Sequence, residues 1–183
     1  DLGDPDARFW AGGQQRSDSL WRLGRLGEAI DWLRGDKRYL DARGETAFNS
    51  TITALLATYL AELGQLDDAA PLIPDARAMA ASDDFATHVL VGWAQALVSS
   101  AEGDHEAALA AIDEALRLIL PTDYLNFTAD THRIRGRVLL AASRRVEAQA
   151  AFDEALSLFE RKGNVASVRR LRSWLASTAV AVP

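Results

Sequence analysis

Along residues 104–120 the apolar positions recur with the period of an α-helix. Ala108, Leu109, Ile112, Ala115, Leu116 and Ile119 share one face, while Asp113, Glu114 and Arg117 lie outside it. The same spacing returns in Ala148, Phe152, Ala155, Leu156 and Phe159, with Glu147, Asp153 and Glu154 outside. Followed along the chain, the pattern and its breaks predict helices near 5–23, 26–42, 45–63, 66–81, 83–102, 104–120, 122–142, 145–162 and 164–178. Gly44, Gly64 and Gly103 read as helix caps, and Lys162-Gly163-Asn164 as stop, cap and restart. Ser82 and Thr122 are N-cap candidates, and Pro121 blocks continuation just before Thr122. Gly12-Gly13 should break or kink the first helix, and the tail Val180–Pro183 should fray. Pro71 and Pro74 conflict with a helix over 66–81, so a bend, or a helix that starts near Pro74, is expected there.

The helices repeat. Gly24-Arg-Leu-Gly-Glu-Ala29, Gly64-Gln-Leu-Asp-Asp-Ala69, Gly103-Asp-His-Glu-Ala-Ala108 and Ser143-Arg-Arg-Val-Glu-Ala148 align with spacings of 40, 39 and 40. Their last residues, Ala29, Ala69, Ala108 and Ala148, are followed one turn later by Leu33, Ile73, Ile112 and Phe152. Three residues beyond stand Ala76, Ala115 and Ala155, where the first unit has Asp36. Each mark has a physical task. Glycine adopts a left-handed cap without a Cβ clash, the small alanines let antiparallel helices approach, and the larger residue fills the gap between them. This is the helix–turn–helix arrangement of tetratricopeptide repeats, with a period longer than their usual one. It implies an all-α fold: a right-handed superhelix of antiparallel helix pairs, about four units with a period near 40, in one domain over 1–183. Residues 1–19 fit the pattern poorly, and 164–178 reads as a capping helix.

Composition agrees with helices. Of 183 residues, 34 are Ala and 25 Leu, while β-branched and aromatic residues are sparse. Cysteine is missing, which excludes disulfide scaffolds, thiolate metal sites and cysteine nucleophiles. The net charge of −6 disfavours nonspecific binding to nucleic acid. Charge is unevenly spread: residues 1–132 hold 22 acids and 10 bases, whereas 133–183 hold 4 acids and 10 bases. A basic end can mean an anionic partner; alternatively the acidic and basic parts face different neighbours in a larger protein. No apolar run is long enough to span a membrane. The start, Asp1-Leu2-Gly3-Asp4-Pro5, lacks the features of a signal peptide and an initiator Met. The chain is therefore expected to be cytoplasmic and a piece of a longer protein.

Four connecting segments carry a narrower resemblance. They are Arg43-Gly-Glu-Thr46, followed by Ser50-Thr51 and Leu55-Leu56-Ala57; Ser82-Asp-Asp-Phe-Ala-Thr87; Thr122-Asp-Tyr-Leu-Asn126; and Glu160-Arg-Lys-Gly-Asn-Val165, before an Ala/Arg-rich last helix. In this order, over roughly residues 20–178, they resemble the C-terminal helical-repeat region of large bacterial signalling proteins. There a class III adenylate or guanylate cyclase domain precedes a nucleotide-binding ATPase module, and the repeats follow. The resemblance implies a non-catalytic interaction and regulatory module without cofactor. Its partner would be a protein or peptide, including other domains of the same chain, or an anionic small-molecule effector. The equivalent sensor region of a large ATP-dependent transcriptional regulator is the second reading.

No catalytic motif stands out. Gly24-Arg-Leu-Gly lacks the lysine of a phosphate loop and sits at a helix end. Asp67-Asp68 and Asp83-Asp84 fall at helix starts, where carboxylates cap and favour the dipole more often than they bind metal. His88, His105 and His132 are scattered, and Ser99-Ser100 has no base nearby in sequence. The candidate site is instead a groove. If the first helix of each pair lines a concave face, Thr51, Ala54, Thr58 and Glu62 line it in the second unit. Leu90, Trp93 and Leu97 follow in the third, and Asp130, Arg133 and Arg137 in the fourth. Trp93 would be an apolar platform, and Arg133 with Arg137, one turn apart, a fork for carboxylate or phosphate. The competing reading puts Trp93 in the interhelix core and pairs the arginines with Asp130 or neighbouring acids.

Overall fold

A computed structural model describes residues 13–179. The expected helix start near residue 5, Gly12 and the tail Val180–Pro183 lie outside these. Ten α-helical segments follow in order among the described residues: α1 (Gly13–Arg22), α2 (Leu26–Asp41), α3 (Ala47–Glu62), α4 (Leu66–Ala69), α5 (Leu72–Met79), α6 (Phe85–Ala101), α7 (His105–Ile119), α8 (Leu125–Ala141), α9 (Arg145–Lys162) and α10 (Val165–Ala179). No strand occurs among the described residues.

The turns after α1, α3, α6 and α8 close in one way. Gly24, Gly64 and Gly103 have φ of +80°, +82° and +87°, and Ser143 takes the same place with φ +63°. In each turn the next backbone N–H reaches back five residues: Arg25 to Leu20, Gln65 to Leu60, Asp104 to Ser99 and Arg144 to Leu139. This double closure satisfies carbonyls that a helix end leaves open. The alanine register is buried throughout: Ala29, Ala69, Ala108 and Ala148 are at most 1% exposed. Leu33, Ile73, Ile112 and Phe152 are buried as well, and so is Asp36 at the odd position of the first unit.

Helix starts differ from two expectations. Ser82 does not cap α6; Asp84 does, its carboxylate accepting the Thr87 N–H at 3.0 Å. Thr122 does not cap α8, which begins three residues later; its hydroxyl donates to the Ile119 carbonyl at 2.7 Å and closes the turn at Pro121. Asp104 caps α7 through the Ala107 N–H, and Glu45 accepts from Ala47, Phe48 and Asn49 ahead of α3. The prolines break the fourth expected helix as anticipated. Pro71 stands between α4 and α5, and Pro74 occupies the first turn of α5, where a missing N–H costs no hydrogen bond.

Successive helices pack on one another, most extensively α6 on α7 and α8 on α9. Close approach needs glycine at both contacts. A Cβ on Gly92 would stand 3.0 Å from the Ala115 Cβ, and one on Gly136 would stand 2.5 Å from the Phe152 ring. Two apolar clusters result. One runs from Leu20 to Val138, and the other joins Ala129, Leu139, Phe152 and Phe159 to Leu171. α10 also reaches back to α1, so the first and last described helices touch.

Candidate functional site

Trp21 marks the place where α1, α3, α8 and α10 meet. It is 2% exposed, stacks on Tyr59 with ring centroids 5.1 Å apart, and donates from Nε1 to Glu62 at 3.0 Å. The guanidiniums of Arg22, Arg133 and Arg170 lie 5.1–5.3 Å from its ring centroid, within cation–π range.

Glu62 is the anionic centre. Arg133 donates to it at 2.5 Å and Arg170 at 3.0 Å, while Arg137 stands 3.6 Å away. Burial alone would raise its pKa, but Arg133, Arg137, Arg170 and the Trp21 indole outweigh that and hold it at about 2. Asp130 is the second buried acid. It accepts from Arg133 at 3.2 Å and Arg22 at 3.1 Å. Burial nevertheless pushes its pKa up, reinforced by the like charges of Asp18 and Glu62. Arg22 also donates to Asp18 and to the Ser167 hydroxyl, and Arg170 donates to the Trp21 carbonyl at 2.8 Å. These bonds tie α10 to α1.

Ten groove residues are expected from sequence, and the structure divides them: Ala54 and Leu90 are buried in the core, and the Thr51 hydroxyl meets that of Thr87 at 2.8 Å. Glu62, Arg133 and Arg137 come together. Leu97 joins Glu62 and Arg137 around a depression of about 400 Å³ at the ends of α3, α6 and α8, with Ala61, Leu63 and Val138. Thr58 does not face it: buried in the core, its hydroxyl meets the Ala54 and Leu90 carbonyls at 2.9 and 3.2 Å. Trp93 is no platform. It is 1% exposed, packs on Phe127 and donates to Thr131 at 2.8 Å, so the indole is an interhelix core residue. Arg133 is likewise no open fork, because Asp130 and Glu62 engage it and only 8% of the residue is exposed.

Sequence reasoning takes Trp21 for a core anchor, which it is, and misses Arg22 and Arg170. The one trace of Arg170 is the charge asymmetry. Arg133, Arg137 and Arg170 of the basic end meet Glu62 and Asp130 of the acidic part, so this share of the imbalance is answered inside the chain and not by an outside neighbour. A cavity of about 100 Å³ remains against the cluster, lined by Trp21, Arg133, Arg137, Ser167, Arg170 and Trp174 among others.

No protein-family model matches this chain, and no curated protein matches it. No helix among the described residues is long and apolar enough to cross a membrane.

Proposed function

We propose that this chain is a non-catalytic helical-repeat module that binds a protein segment and regulates neighbouring domains. In this reading its helix pairs stack as a tetratricopeptide-like right-handed superhelix within a cytoplasmic bacterial signalling protein of the nucleotide-cyclase type. The observation that carries the interaction role is the depression at the ends of α3, α6 and α8. It offers exposed Leu63 beside Arg137, over a floor formed by buried Leu97 and Val138, a combination suited to a peptide with an apolar anchor and an acidic neighbour. The four sequence segments and the buried alanine register support the family reading.

The test has two arms. Purified chain with magnesium or manganese should convert neither ATP nor GTP; turnover that one substitution in this chain abolishes would refute a non-catalytic role. In the intact protein, a photocrosslinker at exposed Leu63 should capture another domain or a partner protein. Leu63→Glu should change cyclase rate several-fold without moving the melting temperature of the repeat region. An unchanged rate and no crosslink would remove the depression from the interaction surface. The partly open, arginine-lined cavity suits an effector and is what the second reading, a sensor region of an ATP-dependent transcriptional regulator, would use. A DNA-binding domain in place of a cyclase domain in the same gene product would decide for it.

A further inference from the structure

The charge in the central cluster does not balance. Arg22, Arg133, Arg137 and Arg170 are set against Glu62, Asp130 and the half-exposed Asp18. The surplus cation can be located. Glu62 already accepts from Trp21, Arg133 and Arg170. Arg137 stands 3.6 Å from that carboxylate, an ion pair without a hydrogen bond, and makes no hydrogen bond among the described residues; its side chain is 30% exposed. A guanidinium carries five donors in a planar fork, and those of Arg137 are left to water and free to take an anionic ligand. Burial and the neighbouring Arg133 and Arg170 lower its pKa, whereas Glu62 raises it.

Arg137 lines the 100 Å³ cavity together with Arg170 and the Ser167 hydroxyl. The remaining wall is largely apolar: Trp21, Phe159, Leu171 and Trp174. Asp130 also borders it, but that carboxylate already accepts from Arg22 and Arg133. We infer that this cavity binds a small organic monoanion, a short-chain carboxylate held by Arg137, Arg170 and Ser167 with its apolar tail against the aromatic wall. The charge surplus of one matches a monoanion. Size sets the scale, since a closed apolar cavity of about 150 Å³ holds benzene and each water needs about 10–15 Å³. The site therefore favours an acid of a few heavy atoms over an aromatic one. It stands apart from the depression that carries the proposed function, although Arg137 borders both.

The probe is sodium propionate, titrated at constant ionic strength into uniformly ¹⁵N-labelled chain. Neutral propionamide, sodium sulfate and sodium benzoate serve as comparisons. Propionate should shift the Trp21 and Trp174 indole and Arg137 Nε–H resonances saturably and raise the melting temperature. Propionamide and benzoate should bind at least tenfold more weakly. Arg137→Gln should weaken propionate at least tenfold with an unchanged circular dichroism spectrum. If that variant does not fold, the wild-type resonances decide: saturable shifts at these three groups support the site, and shifts elsewhere or none overturn it. Sulfate or benzoate binding as tightly as propionate would overturn the assignment to a small carboxylate.

Discussion

The packing of α6 through α9 and the junction of α1, α3, α8 and α10 hold helices together by opposite means. In the first region the contacts are small and apolar. Gly92 meets Ala115, and Gly136 lies under the Phe152 ring, so helix axes approach with no polar group to satisfy. In the second, two buried carboxylates pair with four arginines, three of which lie against the Trp21 ring. Apolar contacts tolerate small shifts, because dispersion and burial depend weakly on angle. The charged junction does not: removing one partner leaves another charge buried and uncompensated. One region specifies how closely neighbouring helices pack, and the other specifies which distant helices meet.

The sharpest way to break this contrast is Glu62→Ala. Three guanidiniums would lose their common acceptor, and stability at neutral pH should fall by about 3–5 kcal/mol in urea unfolding. A loss below about 1 kcal/mol would mean that the apolar clusters alone hold α10 against α1.

Acid should act on the same carboxylate. Glu62 moves from an ordinary 4.5 to about 2 in the fold, so its contribution is complete above the ordinary value and disappears as pH falls through about 2. That shift corresponds to about 3 kcal/mol, at ~1.4 kcal/mol per tenfold change. Asp130 has the opposite sign: its raised pKa stabilises the fold at low pH, and that contribution is lost as pH rises through the raised value. A pH series of unfolding midpoints should therefore be flatter below 4.5 in Glu62→Gln, and Asp130→Asn should lose the opposing component.

In the apolar region the matching change is Gly136→Ala. The added Cβ meets the buried Phe152 ring at 2.5 Å, and overpacking of this kind costs about 1–3 kcal/mol. Gly92→Ala should cost a comparable amount, since its added Cβ would stand 3.0 Å from the Ala115 Cβ and 3.1 Å from the Ala111 carbonyl oxygen, neither of which can rotate away. A much smaller loss at Gly136 would show that the Phe152 ring moves aside freely. The smallest effect is a gain. Ser143 holds a left-handed conformation that three glycines hold in the equivalent turns, so Ser143→Gly should stabilise the chain by about 0.5–1 kcal/mol, read from the same urea midpoints.

Legibility in the sequence follows the same division. The helices, the glycine turns and the buried register of Ala29, Ala69, Ala108 and Ala148 could be read along the chain, because each depends on neighbours within a few residues or on one repeated spacing. The break at Pro71 was legible for the same reason. Trp93 and Thr58 read as groove residues from their places on the first helix of each pair, but such a place fixes a helical position and not how deeply the next helix covers it. Arg133 was read as a fork one turn from Arg137; Glu62, 71 residues earlier, takes that fork. Gly136 carried no local sign of its importance, since its partner Phe152 lies on the following helix.

The sequence by itself determined where helices begin and end and which of their faces are apolar, since periodicity, caps and prolines act over one or two turns. Only the tertiary structure decided that the last helix returns to the first and that Trp21, Glu62, Asp130 and four arginines share one junction. Their partners are set by chain closure over separations of up to 149 residues, as between Trp21 and Arg170, and no local pattern encodes such a separation.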